Sequence, residues 1–117
     1  MLSVNLRIDD KLLYARLKGE LDESYARSLK DNLCKVIVDY DICNIIFNLE
    51  ELTFMDSSGI GVILGRFQQL KVKNGCVILC NINDHLEKII GLSGIKRLIH
   101  IIDNEINAKK YLEEKNG

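Results

Sequence analysis

Two short apolar runs, residues 45–49 and 76–79, flank a segment whose apolar positions recur every three to four residues. A strand with one face in water alternates apolar and polar residues, whereas these runs are apolar at nearly every position, so both of their faces must be covered. Between them Ile60, Ile63, Leu64, Phe67 and Leu70 line one helical face, and Asn74-Gly75 offers a left-handed stop. Strand, helix and strand at this length predict a right-handed crossover between parallel strands, which places the chain in the α/β class.

The rest of the chain fits around that unit. Val4, Leu6 and Ile8, then Leu13, Ala15 and Leu17, alternate with polar or half-polar residues across an Asp9-Asp10 turn, which predicts a β-hairpin with one buried face. Asp22 is the predicted N-cap of a helix whose core face is Ala26, Leu29, Leu33, Val36 and Ile37. A short helix over 84–90, a turn over 91–94, a strand over 98–102 and a last helix capped by Asp103 complete the expectation. The total is about five strands and about four helices in a single domain over residues 1–117, without repeats, low-complexity tracts or proline.

Sixteen basic and seventeen acidic residues leave a net charge of −1, which provides no general attraction for nucleic acid or an anionic membrane. No apolar segment approaches the roughly 20 residues that span a bilayer, and the N-terminus reads as a strand instead of an export signal, so a cytoplasmic protein is expected. Cys34, Cys43, Cys76 and Cys80 lack C-x-x-C spacing. Cys76 and Cys80 sit roughly 13 Å apart on one face of an extended strand, too far for a disulfide or a shared metal, so reduced core thiols and no metal are expected.

Chemistry concentrates at residues 54–61, Phe-Met-Asp-Ser-Ser-Gly-Ile-Gly, where the first apolar run gives way to the helical pattern. Asp56 or Ser57 can accept hydrogen bonds from the unpaired first-turn amides, and the positive helix end favours an anion. Asp-Ser-Ser also opens many helices that carry no function. Gly59, Gly61 and Gly65 each cost roughly 1 kcal/mol relative to alanine in a helix interior, so they require either a close neighbour within the fold or a partner that approaches the bare backbone. The glycines match neither a dinucleotide fingerprint nor a Walker loop, which counts against a nucleotide-binding alternative. Neither serine sits in Gly-x-Ser-x-Gly, and His85 and His100 join no recognisable catalytic set, so no enzyme and no cofactor are expected.

The stretch from Asn48 to Arg66, with Asp56-Ser57-Ser58-Gly59-Ile60-Gly61 at its centre, resembles the anti-sigma factor antagonists of the STAS-domain family. Gly19-Glu20-Leu21-Asp22 and Leu92-Ser93-Gly94-Ile95 continue the resemblance over nearly the whole chain, and Asp-Ser-Ser-Gly with Gly65-Arg66-Phe67 looks most like the sporulation antagonists of the sigma F system. The resemblance implies a mixed sheet flanked by helices and a switch without catalysis of its own. Its unmodified form would bind an anti-sigma factor that is also a serine kinase, a PP2C-type phosphatase would reverse the modification, and Ser57 would be the acceptor. Glu20, Asp22, Asp56, Ser58, Gly59, Ile60 and Gly61 would form the partner surface. A stress-response pathway is the alternative setting. Glu23-Ser24 replaces a His pair frequent in the sporulation group and adds negative charge beside the expected interface. Phosphorylation of Ser57 would add about −1.5 to −2 charges beside Asp56, with Glu50 and Glu51 expected nearby.

Overall fold

The computed structural model describes residues 1–116; Gly117, the last residue of the expected domain, lies outside the described residues. The elements run β1 (Leu2–Asp9), β2 (Leu12–Leu21), α1 (Glu23–Asp39), β3 (Asn44–Met55), α2 (Ser57–Lys71), β4 (Val77–Cys80), α3 (Asp84–Ser93), a 3₁₀ turn (Ile95–Arg97), β5 (His100–Ile102) and α4 (Glu105–Asn116). They form a five-stranded mixed sheet in the order β1-β2-β3-β4-β5, with β1 antiparallel to β2 and every later pair parallel.

That strand order decides where the helices go. Three successive parallel crossovers step across the sheet in one direction, so right-handed connections place α1, α2 and α3 on the same face. Leu13, Ala15, Leu17, Ile45, Phe47, Leu49, Val77 and Leu79 point to that face and join the main core, with Leu29, Leu33, Ile63, Leu70, Leu86 and Ile90 from the helices. The alternate residues Tyr14, Ile46, Ile78 and Cys80 point the other way and pack on Ala108 and Leu112 of α4. Both faces of β2, β3 and β4 are therefore covered, as the continuous apolar runs require.

A polar clamp fixes α4 across the sheet. Arg16 Nε and Nη2 donate to the two carboxylate oxygens of Glu105, each at 2.8 Å, and Asn48 Nδ2 donates to Glu105 Oε2 at 2.8 Å. The Arg16 hydrogen bonds, together with the one from Asn48, hold the Glu105 carboxyl below the ordinary glutamate range. A depressed folded pKa stabilises the protein above the unfolded value of about 4.3, and that contribution is lost as pH falls through the lower folded value. We expect Glu105→Gln to reduce stability by about 1–2 kcal/mol at neutral pH. Urea unfolding at pH 7 and pH 3 checks this: the gap between wild type and variant should shrink at the acid value, and an equal gap at both would refute the charge contribution.

Several local expectations are corrected by the structure. The hairpin does not have a single buried face: β1 is an edge strand with Val4 40% and Ile8 37% exposed, whereas β2 is buried on both sides at Leu13, Tyr14 and Ala15 because α4 covers Tyr14. Asp9 pairs with Leu12, so the turn is Asp10-Lys11, with Asp10 left-handed at φ 58°. The helix expected over 84–90 continues through Gly91 to Ser93, and it is Gly94, at φ 76°, that ends it. Residues 95–97 form a 3₁₀ turn, which shortens the last strand to His100–Ile102. Asn104, not Asp103, caps α4: its Oδ1 accepts from Asn107 N at 2.8 Å, while Asp103 Oδ1 accepts from Asn107 Nδ2. His100 lies exposed on the edge strand with Nε2 2.8 Å from the Tyr111 hydroxyl. All four cysteines are free, but only Cys76 and Cys80 are core residues; Cys34 and Cys43 are half-buried. Burial pushes the Cys80 thiol up to about 12, so it stays protonated at neutral pH.

Candidate functional site

The carboxyl ends of β2 and β3 lie side by side, Leu21 opposite Met55, and each strand passes directly into a helix capped by aspartate. Asp22 has φ −113° and ψ −175° and accepts from Ser24 N at 2.9 Å. Asp56 has φ −107° and ψ −170° and accepts from Ser58 N at 2.9 Å and Gly59 N at 3.4 Å. Two helix N-termini of similar geometry thus open together at the carboxyl end of the central strands, with their positive ends facing outward.

This alignment depends on irregular pairing. Between Leu12 and Leu21 β2 takes nine steps, whereas β3 takes eleven from Asn44 to Met55, and the two extra residues enter at shifts between Arg16 and Lys18 and between Gly19 and Glu20. β4 ends at Cys80, opposite Asn48, so the far half of β3 has no strand on that side. Asn83 takes the place of one. Its Nδ2 lies 3.0, 3.0 and 2.8 Å from the carbonyl oxygens of Leu49, Glu50 and Leu52. Sequence reading missed this role because Asn83 sits at the N-cap of α3 yet makes no side-chain cap bond there.

Asp56 carries the cap, and Ser57 is exposed at the first position of α2. Ser58, one residue later, is half-buried. The two serines, equivalent by sequence position, therefore differ in exposure, Ser57 being the more open of the two. Among the described residues neither imidazole is hydrogen-bonded to either serine, and no group of His, Cys, Asp and Glu has the arrangement needed for a metal.

A sequence profile described as the STAS domain matches residues 3–108. The chain belongs to the STAS-domain family. This STAS domain is 35% identical over 114 residues to the anti-sigma F factor antagonist of Paenibacillus polymyxa, covering 94% of this chain and 97% of that protein. It is 39% identical over 80 residues to the anti-sigma F factor antagonist of Lysinibacillus sphaericus, covering 68% of each chain. Among solved structures, it aligns with the anti-sigma factor antagonist SpoIIAA in its unphosphorylated form at a TM-score of 0.74 and 27% identity, over 98% of this chain and 99% of that one. The phosphorylated form of the Bacillus cell fate determinant SpoIIAA aligns at a TM-score of 0.74 and 30% identity, over 94% and 99%.

The glycines of α2 separate into two kinds. A Cβ on Gly59 would stand 2.5 Å from Met55 Cγ and 3.0 Å from Leu21 Cγ, so Gly59 lets the helix start sit tightly on the two strand ends. A Cβ on Gly61 or Gly65 meets nothing within 4 Å, so packing in the STAS domain does not demand either glycine. We expect Gly61→Ala to raise stability by up to about 1 kcal/mol, the helix-propensity difference. Thermal or urea unfolding reads this directly, and a loss of stability would mean that Gly61 serves a packing role after all.

The other expected site residues fall in different places. Glu20 lies near the end of β2, exposed, opposite Phe54, with the N-terminal amine 3.4 Å from its Oε1. Ile60 is 7% exposed and belongs to the core, so it positions the first turn of α2 without offering its side chain to a partner. Glu50 and Glu51 are not beside Ser57: five steps along extended chain, about 16 Å, separate Glu51 from Asp56, and Glu51 Oε2 lies 3.8 Å from Lys18 Nζ. Phe54, which was not anticipated, is 46% exposed at this end of the strands three residues before Ser57.

Proposed function

We propose that this STAS domain is a phosphorylation-gated anti-sigma factor antagonist whose acceptor is Ser57. The observation that carries the reading is the exposed Ser57 at the start of α2, with the neighbouring Asp56 already committed to the cap. The unmodified protein binds an anti-sigma factor that is also a serine kinase and thereby releases the sigma factor. Transfer of a phosphoryl group to Ser57 ends that interaction, and a PP2C-type phosphatase restores it. Asp22, Asp56, Ser58 and Gly61 form the docking edge with Glu20 and Phe54, while Gly59 and Ile60 hold the helix start in place beneath it.

The sigma F system is the favoured setting, because the relatives named for sigma F are 35% and 39% identical whereas an anti-sigma-B factor antagonist of Bacillus subtilis is 27% identical. The test is incubation with ATP and the anti-sigma kinase from the same genome, followed by intact mass and peptide mapping. A gain of about 80 Da, one phosphoryl group, localised to Ser57 supports the switch. No gain with an active kinase would reduce the protein to an unmodified interaction module. Running a stress-type kinase in parallel assigns the pathway, and modification by that kinase alone would overturn the sigma F assignment.

A further inference from the structure

Arg66 is the one charged residue buried among the described residues, 5% exposed. Its Nε donates to Gln69 Oε1 at 2.9 Å, while Nη1 is enclosed with no hydrogen-bond partner. None of the ion pairs among the described residues includes it. A buried cation without an anion is strongly unfavourable, and a planar guanidinium fork matches an oxyanion well.

Arg66 lines an open groove of about 550 Å³ between α1 and α2. Ser58, Gly61 and Gly65 border it from α2, and Arg27, Lys30 and Asp31 border it from α1. Three cationic residues thus surround the groove against one carboxylate. Gly61 and Gly65, which the packing does not require, leave backbone bare along the same groove. We infer that this groove binds a small oxyanion, a phosphate or carboxylate group, through the Arg66 guanidinium with the Ser58 hydroxyl beside it and Arg27 and Lys30 supplying charge. The groove does not include the Ser57 acceptor, although it shares Ser58 and Gly61 with the proposed docking edge.

The experiment is an NMR titration of the whole unmodified protein with inorganic phosphate and, separately, acetate, at constant ionic strength with chloride as the control. We expect saturable shifts at Ser58, Gly61, Gly65 and the Arg66 Nε–H, with a Kd of about 1 mM. Arg66→Met, which exchanges an unpaired buried cation for an apolar side chain of similar volume, should fold and weaken binding about tenfold or more. Gly65→Ala narrows the groove without touching the rest of the fold, and Arg27→Ala with Lys30→Ala removes the exposed charge; both should weaken binding even if Arg66→Met does not fold. Stronger binding of phosphate identifies a phosphoryl group as the preferred ligand, and stronger binding of acetate a carboxylate. An absence of saturable shifts, affinity unchanged in these variants, or shifts confined to Asp56 and Ser57 would overturn the site.

Discussion

Ser57→Asp is expected to weaken binding to the anti-sigma kinase by about 10²-fold or more, while Ser57→Ala folds normally, resists phosphorylation and keeps its partner bound. The difference comes from where the new charge sits. On the free domain, an anion at the first position of α2 faces the positive helix end and water, so the fold tolerates it. At an interface the same charge loses its water next to Asp56, the cap of its own helix, with Asp22 capping the helix that follows the adjacent strand. Calorimetric titration of the kinase with both variants measures the effect, and equal affinities would refute a charge-gated interface. Circular dichroism and unfolding of the free variants should agree within about 0.5 kcal/mol, as for surface substitutions generally.

Asn83→Ala should cause the largest loss of stability, about 2–3 kcal/mol. It removes one amide that serves three carbonyl groups, two of them on the fully buried residues Leu49 and Leu52. No strand stands ready to replace it, since β4 has already ended at Cys80. Asn83→Asp should be at least as damaging, because it directs a carboxylate at three carbonyl oxygens. Hydrogen exchange should rise most at residues 49–55, the stretch that carries Asp56 and Ser57 to the edge, so kinase binding should weaken with it. If Asn83→Ala unfolds at the same urea concentration as wild type, the amide does not hold this half of β3 in place.

Much of the architecture was legible because it is written in local periods. Continuous apolar residues at 45–49 and 76–79 require strands covered on both faces, and the 3.6-residue spacing of Ile60, Ile63, Phe67 and Leu70 requires a helix between them. The aspartate cap at 22 was equally readable and the second cap was narrowed to Asp56 or Ser57, since a cap involves a side chain and amides two or three residues away. Errors of one to three residues at the turn after β1, the end of α3 and the cap of α4 arose where two neighbouring residues are chemically able to do the same task. Asp103 and Asn104 illustrate this: both can cap a helix, and the packing of α4 on the sheet selects Asn104.

The sequence by itself determined the α/β class, the order of the elements, the family and the segment to which we assign the proposed switch. Only the tertiary structure decided which of two adjacent serines is the more exposed, which of three glycines the packing needs, and that Ile60 belongs to the core. It alone joined Arg16 to Glu105 across 89 positions and Asn83 to Leu49 across 34, and left Arg66 buried without an anion. The physical reason is range. Periodicity and capping depend on residues within a turn or two of each other, whereas exposure, close approach and long-range polar pairing depend on which elements the folded chain brings together.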